Sequence, residues 1–161
     1  MTLKEFLDYF PTVELPVTFS DEVIDVFSKN NKVLPALAIE RFIGMWEEST
    51  DDMTEYIPCV QLPGEGDFHA IVFWKGALSR YDFILATLDK KGAIISKKII
   101  ASTFFDHEGV KRSVASIDED LIIHIVAGVS EDGKNYNPEN SKAFNMEIIP
   151  TGDILFSLGE E

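Results

Sequence analysis

Cysteine is almost missing from this chain: Cys59 stands alone, so no internal disulfide can form. Positive charge is scarce too, with 14 Lys and Arg against 28 Asp and Glu and a formal net charge of −14. Nucleic-acid affinity rests largely on Lys and Arg contacts to phosphate, so nucleic acid is not an expected partner. Anionic membrane surfaces also select basic segments and are equally disfavoured. Long apolar runs are lacking, and none approaches the ~20 residues of a membrane helix. The opening stretch MTLKEFLDYFPTVELP has neither the basic start nor the apolar core of a signal peptide. The expectation is a soluble, cytoplasmic protein.

The recurrent signatures of catalysis are missing as well. The chain contains no GxSxG elbow, no GxxxxGK[ST] phosphate loop, no HExxH and no CxxC pair. Gly64-Glu65-Gly66 begins a GxG but lacks the third glycine and the strand-to-helix setting, so it reads as a tight turn. Neither the acidic stretch 47–55 nor Ser130-Glu131-Asp132-Gly133 supplies a calcium-loop pattern.

What is present is an ordinary core-forming composition, 45% hydrophobic and 26% charged over 161 residues, which suits one domain, 1–161. Residues 1–55 read mainly helical. Thr2 and Glu5 make a capping-box pair, and Leu3, Phe6, Leu7 and Phe10 share one helical face until Pro11 ends it. Glu14 to Phe19 reads as a brief extended segment, with Pro16 making it an edge at best. Ser20 is the natural N-cap of a second helix with Asp21 and Glu22 in its first turn and a Val23, Val26 and Phe27 stripe. Asn30-Asn31 are candidate left-handed stop residues. A third helix starts near Pro35, with Ile39, Phe42, Ile43 and Trp46 on one face and Gly44 obscuring its end.

From residue 56 to 161 the period changes to two. Phe68 to Trp74 is a strand-length apolar run. Tyr81 to Leu88 and Ile94 to Ser102 flank the turn Asp89-Lys90-Lys91-Gly92. Two further hairpins follow, Val110 to Ile117 with Leu121 to Val129, and Ala143 to Ile149 with Ile154 to Leu158. The fold class is therefore α+β: three short N-terminal helices, then an antiparallel meander of about seven to eight strands, as a curved sheet or partly closed barrel.

Candidate chemistry is sparse. His69 and His124 sit in strand runs and would need adjacent strands to share a Zn²⁺ ion with a carboxylate. A strand histidine is more often hydrogen-bonded or exposed at the sheet face, and no metal or cofactor is assigned. His107 lies in the polar turn Asp106-His107-Glu108-Gly109, where chain neighbours point apart and no triad forms from these three alone. Cys59 has no adjacent base and reads as a buried structural thiol. The loops 47–55 and 130–142 exceed what connection requires, and the five acids of the first read as solvated.

Surface pattern remains. Residues 1–58 carry 12 acids and 4 bases, while Lys90, Lys91, Lys97, Lys98, Lys111 and Arg112 fall close together and, if clustered, make a locally positive sheet edge. In an extended Phe104-Phe105 the rings face opposite sides, leaving one in need of a second partner. Phe104, Phe105, Trp46 and Tyr136 are thus candidate interface residues. The leading expectation is a non-catalytic, acidic interaction module of inhibitor, immunity or adaptor type, whose acidic first third steers a basic protein partner. The alternatives are a small-ligand-binding β domain using His69, Trp74, Tyr81 and His124, and a histidine/carboxylate metal-dependent hydrolase.

Overall fold

A computed structural model describes residues 1–47, 53–64, 66–107, 109–130 and 142–157. Tyr136, most of the acidic loop and most of the 130–142 loop lie outside the described residues. Among the described residues no helix is long and apolar enough to cross a membrane.

The first helix, α1 (Leu3–Leu7), carries the expected capping box: Glu5 N donates to Thr2 Oγ1 at 3.2 Å and Thr2 N to Glu5 Oε1 at 2.9 Å. Strand β1 (Val17–Phe19) follows the cis Leu15–Pro16 peptide. Helix α2 (Ile24–Asn30) starts four residues beyond Ser20 and has no side-chain cap, which corrects the expected start. The reason lies in tertiary pairing: Asp21 is drawn to Arg112 Nε at 2.9 Å instead of serving the helix end. Ile24 rather than Val26 joins Val23 and Phe27 against the core, and Val26 is exposed. Asn31 is extended at φ −100° rather than left-handed. Its Nδ2 donates to the carbonyls of Pro58 and Cys59 at 2.7 and 2.9 Å, tying the helix end to the first strand of the meander.

The third helical stretch runs as α3 (Ala36–Ala38), a π-helical turn (Ile39–Ile43) and α4 (Gly44–Trp46). Gly44 continues the helix instead of ending it: its N–H reaches the Ile39 carbonyl, and a Cβ there would stand 3.0 Å from that oxygen. Phe42 and Trp46 still pack with Ile43 against α1, Phe42 stacking on Phe6 at 4.3 Å between ring centroids.

The strands are β2 (Glu55–Gln61), β3 (Phe68–Ala77), β4 (Arg80–Asp89), β5 (Ile94–Asp106), β6 (Gly109–Ile117), β7 (Ile122–Ser130), β8 (Lys142–Ile148) and β9 (Ile154–Phe156). With β1 they form one nine-stranded antiparallel sheet whose order follows the chain from β2 to β9, and it does not close into a barrel. The turns are those their residues dictate. Gly92 takes φ +92° while Asp89 Oδ1 accepts from Lys91 N and Ala93 N. Gly152 takes φ +93° between β8 and β9.

Strand β5 gives the sheet its shape. It pairs with β4 from Ile94 to Phe104 but with β6 only from Thr103 to Asp106. Farther along β6, the vacated side is taken by β1, which pairs Val17 with Ile117 and Phe19 with Ala115. One core gathers Val72, Phe83, Leu85, Ile117, Ile123 and Met146, side chains from both halves of the sheet. A second lies where α1, α3 and α4 cover the opposite face of β3 and β4, around Phe6, Ile43, Phe73 and Leu88. Strand β4 is buried on both sides from Asp82 to Leu88, which is why Phe83 to Leu88 reads as an apolar run broken only by Thr87 rather than as an alternation.

Candidate functional site

Strands β3 and β4 are joined by two residues, Leu78 and Ser79, and Ser79 adopts φ +66° to make so short a turn. The Ser79 carbonyl accepts from Phe105 N at 3.1 Å, docking the end of β5 beside the hairpin tip. Three aromatic side chains meet there. Gly76 stands opposite Tyr81, and the Trp74 ring lies over that glycine, where a Cβ would come within 2.3 Å of it. Trp74 then stacks on Tyr81 with centroids 5.5 Å apart and planes 17° from parallel. Phe105 meets Tyr81 edge-on at 6.3 Å. The inner side of this group touches the core, since Trp74 is paired with Phe83 and Phe83 packs on Phe19 and Phe27. Its outer side is open: Tyr81 is 38% exposed, Phe105 46% and Leu78 87%.

Alternation along β5 sends Phe104 to the other face. There the guanidinium of Arg80 lies 4.8 Å and the ammonium of Lys111 5.6 Å from its ring centroid. Phe104 is half-buried between these cations, each paired with an acid, Arg80 with Asp82 at 3.0 Å and Lys111 with Asp106 at 3.0 Å.

Farther along that face the end of α4 is pinned by charge. Glu47 accepts from Lys75 Nζ at 2.7 Å and also from Lys97 Nζ, which donates as well to the Trp46 carbonyl at 2.7 Å. The Glu47 side chain is only 8% exposed, so this acid is not solvated as expected for its loop. Burial works to raise its carboxyl, but the bonds from Lys75 and Lys97 outweigh burial and hold it below the usual carboxylate range. Asp82 goes the other way: burial raises it despite the Arg80 guanidinium. Cys59 is a buried thiol pushed well above its ordinary value by burial, consistent with a structural role.

The remaining candidates disperse. Trp46 packs against Phe6 and Phe73 at 6.0 and 6.2 Å, so its ring is an internal contact rather than an interface anchor. His69 on β3 and His124 on β7 stand on strands that are not neighbours in the sheet, so the adjacent strands expected to carry a shared metal are not there. Among the described residues no group of three or more His, Cys, Asp or Glu side chains is placed to hold a metal ion. His124 Nε2 faces Asp118 Oδ2 at 2.8 Å and Nδ1 faces Asn145 Oδ1 at 3.1 Å, so both ring nitrogens serve local bonds. The bond from His124, with backbone N–H groups of Ile122 and Asp120, holds the Asp118 carboxyl below its usual range. His69 borders a pocket of about 390 Å³ together with Gln61, Leu62, Phe68 and Leu121. His107 is exposed in its turn.

The six bases form no positive edge. Strands β5 and β6 are interior to the strand order, and Lys90, Lys97, Lys111 and Arg112 pair with Asp67, Glu47, Asp106 and Asp21. Of the aromatic candidates, then, the fold brings Trp74, Tyr81 and Phe105 together and adds Leu78, which sequence reasoning missed. The sequence reading ended one strand at Trp74 and began the next at Tyr81, whereas the two-residue tip Leu78-Ser79 lets both strands run on to it. Compared with protein-family models, curated proteins and solved structures, the chain matches none.

Proposed function

We propose that this chain is a cytoplasmic, non-catalytic interaction protein of inhibitor, immunity or adaptor type, which docks a basic partner protein on the Leu78, Trp74, Tyr81 and Phe105 face. The observation that carries this reading is the exposure of Tyr81 and Phe105 in contact with each other, with exposed Leu78 in the turn at the same end of the sheet. Interface energy concentrates in a few aromatic anchors, and contiguous exposed apolar groups mark such sites. These anchors stand on paired strands or on a two-residue turn between them, so holding them in place for a partner costs little additional ordering. The net charge of −14 favours association with a basic protein, raising its encounter rate while the aromatics govern release.

The test is capture from an extract of the source organism by tagged protein, eluted with stepped salt. The compared proteins are wild type, Leu78→Asp, Tyr81→Ala and Val33→Asp, the last altering an apolar side chain that is 82% exposed on the helical side. Wild type and Val33→Asp should retain one stoichiometric basic protein, released at moderate salt. Leu78→Asp and Tyr81→Ala should bind it about tenfold more weakly, the equivalent of losing about 1.4 kcal/mol, with circular dichroism unchanged. Equal capture by all four proteins, or no stoichiometric partner with any of them, overturns the proposal.

A further inference from the structure

Strand β5 is interior to the strand order, yet half of its length is open on one side. Strand β4 covers one side from Ile94 to Phe104, while β6 joins the other only from Thr103 onward. Ser102 N still finds Ser113 Oγ at 2.8 Å. Over residues 95–101, however, no backbone group of the described residues bonds to the side facing away from β4. Alternate peptide groups of a strand point to each side, so this stretch carries a row of unpaired donors and acceptors. Ile99, in the middle of it, is 48% exposed.

The opposing half of the sheet extends past this edge. On β8, Phe144 alternates with Met146 and Ile148 and so shares their core-facing side. On β9, Phe156 shares the side of Ile154 and stands opposite Met146. Met146, Ile148 and Ile154 are buried, yet Phe144 is 42% and Phe156 58% exposed, their rings in contact at 6.0 Å. Lys98 of β5 stands opposite core-facing Leu85, and its ammonium lies 5.8 Å from the Phe156 ring centroid. Two rings on the core side are thus open to solvent, and beside them runs a strand edge without a neighbour. An extended chain laid along β5 answers both: its backbone pairs the free peptide groups, and its alternate side chains cover Phe144 and Phe156. We propose that residues 95–101 form a strand-addition site for an extended segment of another protein, with alternate apolar side chains packed on Phe144 and Phe156. A second copy of this chain fits badly. Paired antiparallel about the middle of the edge, it would bring Lys97 and Lys98 against their own counterparts, and edge lysines oppose such self-pairing. The site lies toward the other end of β5 from Phe105 and does not depend on the docking face.

The experiment is an amide-shift titration and hydrogen-exchange measurement on the full chain with the peptide acetyl-Thr-Val-Glu-Val-Thr-Val-Glu-amide, whose valines fall on one face of a strand. A peptide of the same composition with its valines consecutive is the control. The variants are Phe156→Ser, Phe144→Ser, Val126→Ser on the outer face of β7, and Leu78→Asp at the docking face. The alternating peptide should give saturable shifts at residues 95–101 and at Phe144 and Phe156, and at saturation slow amide exchange within 95–101 about tenfold. The control peptide should bind at least fivefold more weakly. Phe156→Ser should weaken the alternating peptide at least fivefold and Phe144→Ser about threefold, with circular dichroism unchanged, while Val126→Ser and Leu78→Asp leave its affinity as it was. The assignment is overturned by no saturable shift at millimolar peptide, by equal binding of the two peptides, or by unchanged affinity in both Phe156→Ser and Phe144→Ser. Weakening by Leu78→Asp would place the peptide on the docking face, and a dimer already slow to exchange at 95–101 would make the second copy the occupant; either result also overturns it.

Discussion

Gly76 shows how much a single missing side chain does in this protein. The Trp74 indole occupies the space a Cβ would take, and from there it stacks on Tyr81. Gly76→Ala should displace the indole and cost about 1–3 kcal/mol by overpacking. Urea unfolding would register the loss, and near-ultraviolet circular dichroism would show the changed Trp–Tyr coupling. An unchanged midpoint and spectrum would mean that the ring does not lie over the glycine. At this scale the sequence was partly legible. Trp74, Tyr81 and Phe105 stood out as aromatics in or beside strands, and alternation correctly separated Phe104 from Phe105. Their convergence was not readable, because it depends on the register that sets Gly76 opposite Tyr81.

Elements were legible where local chemistry decides them and obscure where distant partners do. The Asp89–Gly92 turn and the Thr2–Glu5 capping box form as their residues predict, since each is closed by bonds within a few residues. Helix α2 was expected, but its start was misplaced, since Asp21 answers to Arg112, 91 positions away in the chain. The end of α4 likewise depends on Glu47 finding Lys75 and Lys97 on two different strands. Glu47→Gln would leave both ammonium groups short of a partner and should cost about 3 kcal/mol at neutral pH. The pH dependence has a definite sign. With its folded-state carboxyl held below the ordinary value of about 4.3, Glu47 contributes stability fully present above that value and lost as pH falls through the lower, folded one. Asp82, raised by burial, gives the opposite slope, its native state keeping a proton that the unfolded chain has released. Denaturant midpoints measured from pH 7 to pH 3 should therefore fall less steeply in Glu47→Gln than in wild type, and parallel curves would contradict the buried pair.

Across the whole molecule, the two halves of the sheet are held by apolar packing and by a few polar ties, of which Thr87 is the most buried. Its Oγ1 donates to the Gly152 carbonyl at 2.6 Å, linking the middle of β4 to the turn between β8 and β9. Thr87→Val keeps the shape and deletes the donor, leaving a buried carbonyl unsatisfied. The expected cost is about 1–3 kcal/mol, with faster hydrogen exchange at Gly152 and Ile154 and little change at β2 and β3. A uniform rise in exchange across the sheet would argue against a local tie. The meander order was readable from three successive hairpins, but the division of labour along β5 was not, because no residue within β5 announces where its neighbour changes. Pairing of β1 with β6 was equally hidden, since a three-residue strand carries too little pattern to name a partner about 100 residues away.

That pairing has a consequence for how the protein is made. Phe19, fully buried against residues of β4 and β6, leaves the ribosome about 100 residues before Ile117, the last position of the strand that receives β1. At 5–20 residues per second the wait is roughly 5–20 s. Throughout that interval the helices and the β2–β5 ladder can assemble, while Val17–Phe19 has no groove to enter. Arrested nascent chains ending shortly after Asp89 should accordingly leave the peptide bonds around Phe19 open to protease, and chains extended well past Ile125 should close them.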